Sequence, residues 1–557
     1  MWIPRGRRYG EAAAGTRVDR PESNCRSPLA RTPARAYGSL VKELVFARLL
    51  LPIANRSADR VGFHDHDYHA TFGEHVERVL RLASALRSEL GVASDDRFAI
   101  VAGNGHEYLE LYHAGFLGAG IVNPLNLRLS AAELTFILRD SGTQTVFVDA
   151  LFADLVDSVR HEAGVERVVL IGDGDAPHDV RYEELLESGE PVVPPEPEET
   201  DPVILMYTGG TTGLPKGVLL DQRAEMLNLY HAGIAIGLDQ DRVYLHQTPM
   251  FHAASMTGVL GIPASGGVSV FVTYFEPAAV LDAIEHYRVN LTLMVPIMVS
   301  MLLDAPEFRP DRLATLEALV YGAAPMPQGL LQHLLDAFPR LDLYQGYGMT
   351  EASAALTLLT AKDHRRGGDA LRSAGRPLHG VEISIRDESD RELPAGRSGE
   401  VCARAGNFMR EYWNRPDETV EAFRDGWYHS GDAGYVDDQG YLFIVDRLKD
   451  MIVTGGENVY SIEVENAIST HPSVAQVAVI GIPHDLWGEA VHAIVVLHPG
   501  ADATADGLIE HARETIAGYK LPKTVEFRAE PLPLSGALKA LKRELRAPYW
   551  EGRERSV

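Results

Sequence analysis

Residues 207–218 of the chain read YTGGTTGLPKGV. Gly209, Gly210 and Gly213 let a backbone bend through conformations closed to other residues and turn several N–H groups toward one point. Thr208, Thr211 and Thr212 add hydroxyl donors, and Lys216 adds a mobile positive charge. Amides, hydroxyls and one cation gathered in a single loop are equipment for holding phosphate. The spacing is not that of a Walker A motif, which has glycine before its lysine and Ser or Thr after it; here Pro215 precedes Lys216 and Gly217 follows. A flexible connector would account for the glycines but not for three threonines and a lysine set between the apolar runs 203–206 and 218–220. Those runs are predicted strands, so the loop is expected to hang between two of them.

Further blocks follow in order: PMFH at 249–252, LVYGAAPM at 319–326, YQGYGMTE at 344–351, GWYHSGD at 426–432, DRLKDMIVTGGE at 446–457 and PLPLSGALKALKRELR at 531–546. With the glycine loop, these blocks resemble the adenylate-forming (AMP-binding) superfamily, which includes acyl-CoA synthetases, luciferases and the adenylation domains of peptide synthetases. The resemblance spans roughly residues 50–546 and points within the superfamily to fatty-acid and acyl-CoA synthetases. It implies ATP, Mg²⁺ and CoA as cofactors and a small carboxylic acid as substrate.

The resemblance also assigns residues. Thr208, Gly209, Gly210, Thr211, Thr212 and Lys216 would hold phosphates. Gly322, Ala323 and Ala324 would lie against adenine, where small side chains let the backbone approach, and Tyr347 offers a flat face for stacking. Thr350 would present a hydroxyl to phosphate, and Glu351 a hard oxygen ligand to Mg²⁺. Asp432 would accept hydrogen bonds from both ribose hydroxyls. Arg447 would approach the ribose or the α-phosphate, Lys449 would be a hinge, and Gly455 and Gly456 would let pantetheine pass beside the backbone. Phe251 and His252 sit where acyl substrates enter. Lys539 matches the catalytic lysine of the last block, although Leu538 stands where glycine is usual. Lys542 is a fallback within a helical, solvated charge pattern.

The substrate follows from a missing charge. Relatives that activate amino acids commonly carry an acid after the phenylalanine of the PMFH block, to pair with the substrate ammonium. Here the position is His252, so a zwitterion would bring an unpaired ammonium into an apolar pocket at a cost of about several kcal/mol. An acid with an apolar tail is expected, with fatty acids first. An aryl-CoA ligase and a ligase that loads a carrier protein are the nearest alternatives, and a nonenzymatic nucleotide or acyl-CoA sensor is a reading of another class. Met256, Val259, Leu260, Met294, Val295, Pro296 and Met298 are candidate pocket residues, although most are expected to be core.

These residues need a large scaffold, and 557 residues of 61.0 kDa with 45% hydrophobic content supply one. From about residue 40 to 190, helical and strand patterns alternate, which argues a parallel sheet with helices on its faces. His106 and His113 fall in such helices and receive no role. The acidic, proline-rich stretch 187–201 reads as a solvated linker, and Asp221 as the N-cap of a helix to Ile236. Shorter alternating strands over 375–447 predict a distorted β-barrel subdomain. Helices at 461–469 and 507–516, with strands at 474–482 and 490–497, predict a small α+β domain. The expected architecture is therefore α/β: a large domain over 40–447 with two parallel-sheet subdomains and the barrel, then a mobile small domain over 448–557.

Charge and composition exclude other classes. Asp and Glu number 78 against 52 Lys and Arg, a net charge of -26, which repels nucleic acid and anionic membranes. Cys25 and Cys402 are far apart and lack metal-ligand spacing, so no disulfide framework or zinc site is expected and a cytoplasmic setting fits. No apolar run is long enough to span a membrane. Residues 1–39, rich in Arg, Gly, Pro and Ala, are expected to be a disordered extension. A homodimer is compatible with all of this.

Overall fold

The computed structural model describes residues 42–208, 215–324, 326–447, 450–454, 457–484, 486–534 and 540–551. Helix and strand alternate as the sequence predicts through the first part. The helix Phe72–Ser88 starts at Thr71, whose hydroxyl and backbone exchange hydrogen bonds with Glu74 in a capping box. Phe72, Val76, Val79, Ala83 and Leu86 recur at helical spacing and are its buried stripe. Four parallel strands lie beside it: Arg97–Val101, Ile121–Pro124, Thr145–Asp149 and Arg167–Ile171. They form the centre of an eight-stranded sheet.

The strands that flank the glycine-rich segment lie toward one side of that sheet. Strand Pro202–Thr208 pairs antiparallel with Lys216–Asp221, with Thr208 opposite Lys216; residues 209–214 between them lie outside the described residues. Asp221 caps the helix Gln222–Ile236 by accepting from the Ala224 amide at 2.8 Å, as expected.

A second sheet has nine strands. Its central strands, Val268–Phe271, Val243–His246, Leu291–Met294, Ala318–Gly322 and Asp342–Tyr347, are parallel and in register. All five therefore point their C-terminal ends to one side, where ligands bind in open α/β sheets.

The expected barrel subdomain is built on a five-stranded antiparallel sheet that contains Glu382–Arg386, Gly399–Arg404, Trp427–Val436 and Leu442–Arg447. A short strand between these elements, Glu411–Tyr412, leaves them and pairs with Lys216–Asp221. Beyond residue 450 the chain has its own sheet. There Val474–His484 and Gly488–Leu497 pair antiparallel, and alternate residues serve two separate cores, Val479 and Val491 on one face and Ala478 and Ile480 on the other. The helix Ser461–Ser469 matches its predicted bounds, whereas the one predicted at 507–516 spans Ala505–Arg513.

Two expectations change. The stretch 187–201 has no helix or strand between 189 and 200, but it is anchored rather than freely solvated: the Glu199 carboxylate accepts from the amides of Glu43 at 2.9 Å and Leu44 at 3.2 Å. Lys542 is not a solvated charge. Its ammonium donates to the Ser461 hydroxyl and lies 2.7 Å from Glu465, next to the Arg546–Asp450 pair at 2.9 Å. Burial opposes its charge, yet Glu465 and Asp446 hold its pKa above the ordinary lysine value. Periodicity reports the face a residue occupies, and here that face is covered by the preceding chain. No helix among the described residues is long and apolar enough to cross a membrane.

The cores contain ionisable groups whose burial sets a pH optimum. Burial pulls the His113 imidazole down to about 4 and His246 to about 3, and it lowers His75 as well. Below pH 6.5 the unfolded chain takes up protons that these folded histidines refuse, so stability falls on acidification. Glu225 works in the opposite direction. Burial pushes its carboxyl up to about 8 from 4.5, against an opposing contact from the Ser353 side chain. Its contribution is full below pH 4.5 and is lost as pH rises toward 8. Each such group changes stability by at most about 1.4 kcal/mol per pH unit. The melting temperature is expected to peak near pH 6.5 and fall on both sides, and Glu225→Gln should flatten the alkaline limb and steepen the acid limb between pH 4.5 and 6.5. A thermal scan that rises steadily from pH 6.5 to 8 would contradict this assignment.

Candidate active site

The site is built at the C-terminal ends of the parallel strands. Gly322 and Gly346 lie side by side in register. A Cβ on Gly322 would stand 2.3 Å from the Gly346 carbonyl oxygen, so the two strands can approach this closely only with glycine there. The next residue, Ala323, has φ +63°, a left-handed conformation that turns the chain sharply over the strand ends. Gly322 and Ala323 line a cavity together with Gly346, Gly348 and Thr350; Ala324 stands outside it.

Two blocks far apart in sequence meet at one hydrogen bond. The Tyr347 hydroxyl donates to Asp432 Oδ2 at 2.7 Å. Asp432 is buried and pairs across its strand with the backbone of Arg447, which brings a third block to the same place.

The end expected to hold phosphate is organised by a residue that sequence reasoning missed. The Tyr412 hydroxyl donates to Glu351 Oε1 at 2.9 Å, and the Lys216 ammonium lies 5.2 Å from the centre of the Tyr412 ring. Lys216 also forms an ion pair with Glu418. One ring thus links the lysine of the glycine loop to the expected metal carboxylate. The signal was present in the sequence as the isolated pair Glu411–Tyr412, but only its pairing with Lys216–Asp221 places it here. A single half-buried carboxylate, held from one side by a neutral hydroxyl, suits Mg²⁺, which keeps several waters and takes one or two carboxylates plus phosphate oxygens.

The end expected to receive the acyl substrate is held by the other subdomain. The buried Asn104 side chain, in the turn after the strand Arg97–Val101, accepts from the Met250 amide at 2.9 Å and donates to the carbonyls of His246 at 3.2 Å and Thr248 at 3.1 Å. The Tyr112 hydroxyl donates to the Met250 carbonyl at 2.8 Å. His113, which received no role from the sequence, contacts the Val259 carbonyl at 3.0 Å through Nε2 and His75 at 2.8 Å through Nδ1. These contacts fix the segment that presents His252 to the cavity. Asn104 was also missed; the Gly-Asn-Gly turn at 103–105 was its available signal.

Among the candidate pocket residues, Val295 and Met298 line the cavity. Met256, Val259, Leu260 and Met294 are packed into the cores instead, and Pro296 is buried at the start of its helix. Further walls come from Ala232 and Ile236 of the helix Gln222–Ile236, from Tyr244, Leu291, Leu293 and Val320 of the sheet, and from the segment 249–258. Among the described residues, no Asp, Glu, Lys or Arg lines the cavity. Gly209, Gly210, Thr211, Thr212, Lys449, Gly455, Gly456, Leu538 and Lys539 lie outside the described residues, as does the Arg447 side chain.

Comparison with known proteins agrees with this geometry. Residues 52–413 match the sequence model of a family described as AMP-binding enzyme, and residues 463–539 match AMP-binding enzyme C-terminal domain. A feruloyl-CoA synthase from Amycolatopsis sp is 39% identical over 483 residues, 86% of this chain and 94% of its own length. A long-chain-fatty-acid–CoA ligase from Mycobacterium tuberculosis is 35% identical over 488 residues, 87% of this chain and 94% of its own. The crystal structure of ATP-bound MatB from Rhodopseudomonas palustris superposes with a TM-score of 0.83 at 27% identity, covering 91% of this chain and 99% of that one. The convergent nucleotide blocks, the separate C-terminal sheet and these matches lead to one conclusion: the chain belongs to the AMP-binding enzyme family and is an acid–thiol ligase of the AMP-forming type.

Proposed function

We propose that the protein joins an acid with an apolar tail to AMP and then passes the acyl group to coenzyme A. The observation that carries this reading is the cavity, which runs from Gly346 and Thr350 to Tyr244 and Ile236 with no Asp, Glu, Lys or Arg in its walls among the described residues. An amino acid would leave its ammonium unpaired there, whereas an acyl chain or an aryl ring would be desolvated at a gain. A fatty acid satisfies the walls, as does the second reading, an aromatic acid, which one deep hydroxyl favours. The fatty-acid ligase and the feruloyl-CoA synthase among the relatives support the two readings in turn.

In the first step a carboxylate oxygen attacks the α-phosphorus of ATP, and the bond to pyrophosphate breaks. Lys216 and the loop amides and hydroxyls would bind the departing phosphates. Because Lys216 pairs with Glu418, the phosphates must replace that carboxylate as its partner. Tyr347 and Asp432 would fix the adenine and ribose, and Thr350 would donate to phosphate. Glu351 would hold Mg²⁺, which supplies charge neutralisation to the phosphates. Lys539 would bridge the attacking carboxylate and the α-phosphate.

In the second step the thiol attacks the acyl carbonyl and AMP leaves with its oxygen, the thiol proton passing to solvent. Rotation about Lys449 would exchange Lys539 for the 455–458 segment between the two steps. Asp446, at the end of the last strand before that hinge, accepts from the Ser461 amide and so ties the hinge to the first helix of the small domain.

A panel of fatty, aromatic and amino acids assayed for AMP release with and without CoA tests the reading. Fatty or aromatic acids should release AMP, with CoA raising turnover, and amino acids should not. Activity only with a carrier protein would exclude CoA as acceptor. Absence of acid-dependent pyrophosphate exchange in folded protein that still binds ATP would favour the sensor reading.

A further inference from the structure

The cavity ends on a polar atom that the proposed chemistry does not use. Tyr244 is 6% exposed and lies on the sheet floor. Its ring is fixed on two sides. It meets the His246 ring edge-to-face with centroids 4.7 Å apart, and it covers Gly258 so closely that a Cβ there would stand 2.6 Å from a ring carbon. Its hydroxyl has no hydrogen-bond partner among the described residues, yet it is not among the sealed, unpartnered polar atoms of the interior. It therefore opens on the cavity that the residue lines.

Two other hydroxyls that line the cavity are bonded within the protein. The Thr248 hydroxyl donates to the Leu293 carbonyl at 2.6 Å, and the Tyr321 hydroxyl is bonded to His364 Nε2 at 2.8 Å. Around Tyr244 the walls are Ile236, Ile262, Leu291 and Leu378, all apolar. The register sets its depth. Tyr244 pairs with Leu291 and Leu291 with Ala318, four residues before the row that contains Gly322 and Gly346. At about 3.3 Å per residue that is about 13 Å below the strand ends.

We infer that the Tyr244 hydroxyl selects an aromatic acid that carries a ring hydroxyl at the end remote from its carboxylate. This deepens the proposed function and rests on it. A ring lies flat between the sheet face and the helix Gln222–Ile236, where Ala232 and the small residues Gly258, Ala253 and Ala354 leave a slot. Its hydroxyl then meets the Tyr244 hydroxyl on the sheet floor. An alkyl chain of the same length would bury that group without a partner, which a site built to bond a substrate hydroxyl strongly disfavours.

The test compares 4-hydroxycinnamate, cinnamate and octanoate in wild type, Tyr244→Phe and Thr257→Val. Phenylalanine keeps the ring contacts with His246 and Gly258, and unchanged melting temperatures establish that the variants fold. Thr257 is the control, a hydroxyl on the neighbouring turn of the same cavity. Wild type should prefer the hydroxylated acid over cinnamate by about tenfold or more in kcat/KM, mainly through KM. Tyr244→Phe should bring the ratio to about one, and Thr257→Val should leave it unchanged. Calorimetric binding of 4-hydroxycinnamate, without turnover, should weaken in Tyr244→Phe only. A ratio that survives Tyr244→Phe, a ratio lost in Thr257→Val alone, or a wild type that prefers octanoate would overturn the inference. Failure to activate any acid would instead refute the proposed function.

Discussion

Lys539→Ala is expected to lose acid-dependent exchange of pyrophosphate into ATP by about a hundredfold or more, since one donor aimed at transition-state charge contributes on the order of 3 kcal/mol. No neighbouring lysine can take over. Lys542, three residues on, is held by Glu465 and Ser461 inside the small domain, so the fallback suggested by sequence is already committed. Thioester formation from supplied acyl-AMP should be spared, because that step no longer needs a cation between carboxylate and α-phosphate. Parallel assays of the two half-reactions decide the matter, and equal loss in both refutes the assigned role.

Glu351→Gln should lower the same exchange by a similar factor, about a hundredfold, for a separable reason. Glutamine keeps an oxygen where Oε1 accepts from the Tyr412 hydroxyl at 2.9 Å, so the turn that carries Thr350 stays in place and only the negative charge is lost. The melting temperature should change little, while the Mg²⁺ concentration needed for half-maximal exchange rises. Tyr412→Phe supplies the complement: the carboxylate remains but loses its anchor, and a smaller loss of rate is expected. An exchange rate for Glu351→Gln within about threefold of wild type would remove Glu351 from the metal site.

Both predictions concern residues whose roles the resemblance assigned from short sequence blocks. Only the glycine loop combines residue types whose chemistry is readable over a few positions; Asp432 and Lys539 took their roles from the resemblance. Helices and strands were legible on the same terms, as in Phe72–Ser88, where apolar spacing and a Thr-Glu capping box agree. Asp221 was likewise read correctly as a cap, because capping depends only on the next three residues.

The remaining features depend on contacts between distant segments, which residue type and spacing do not encode. Tyr412 gained its place through a two-residue strand paired with Lys216–Asp221, and Asn104 through a turn that reaches the Met250 amide across 146 positions. The candidate pocket residues were drawn from apolar runs near PMFH, yet most of those runs face the cores. The walls come from strand positions in register with Gly322 and Gly346, from the helix Gln222–Ile236 and from small residues of the segment 249–258. Lys542 looked solvated because periodicity locates a face but not what covers it. The chain alone thus determined which chemical groups are present and which local elements carry them. Folding decided which groups meet, because a hydrogen bond or a cavity wall is set by distance in space, and strand pairing and packing alone fix that distance.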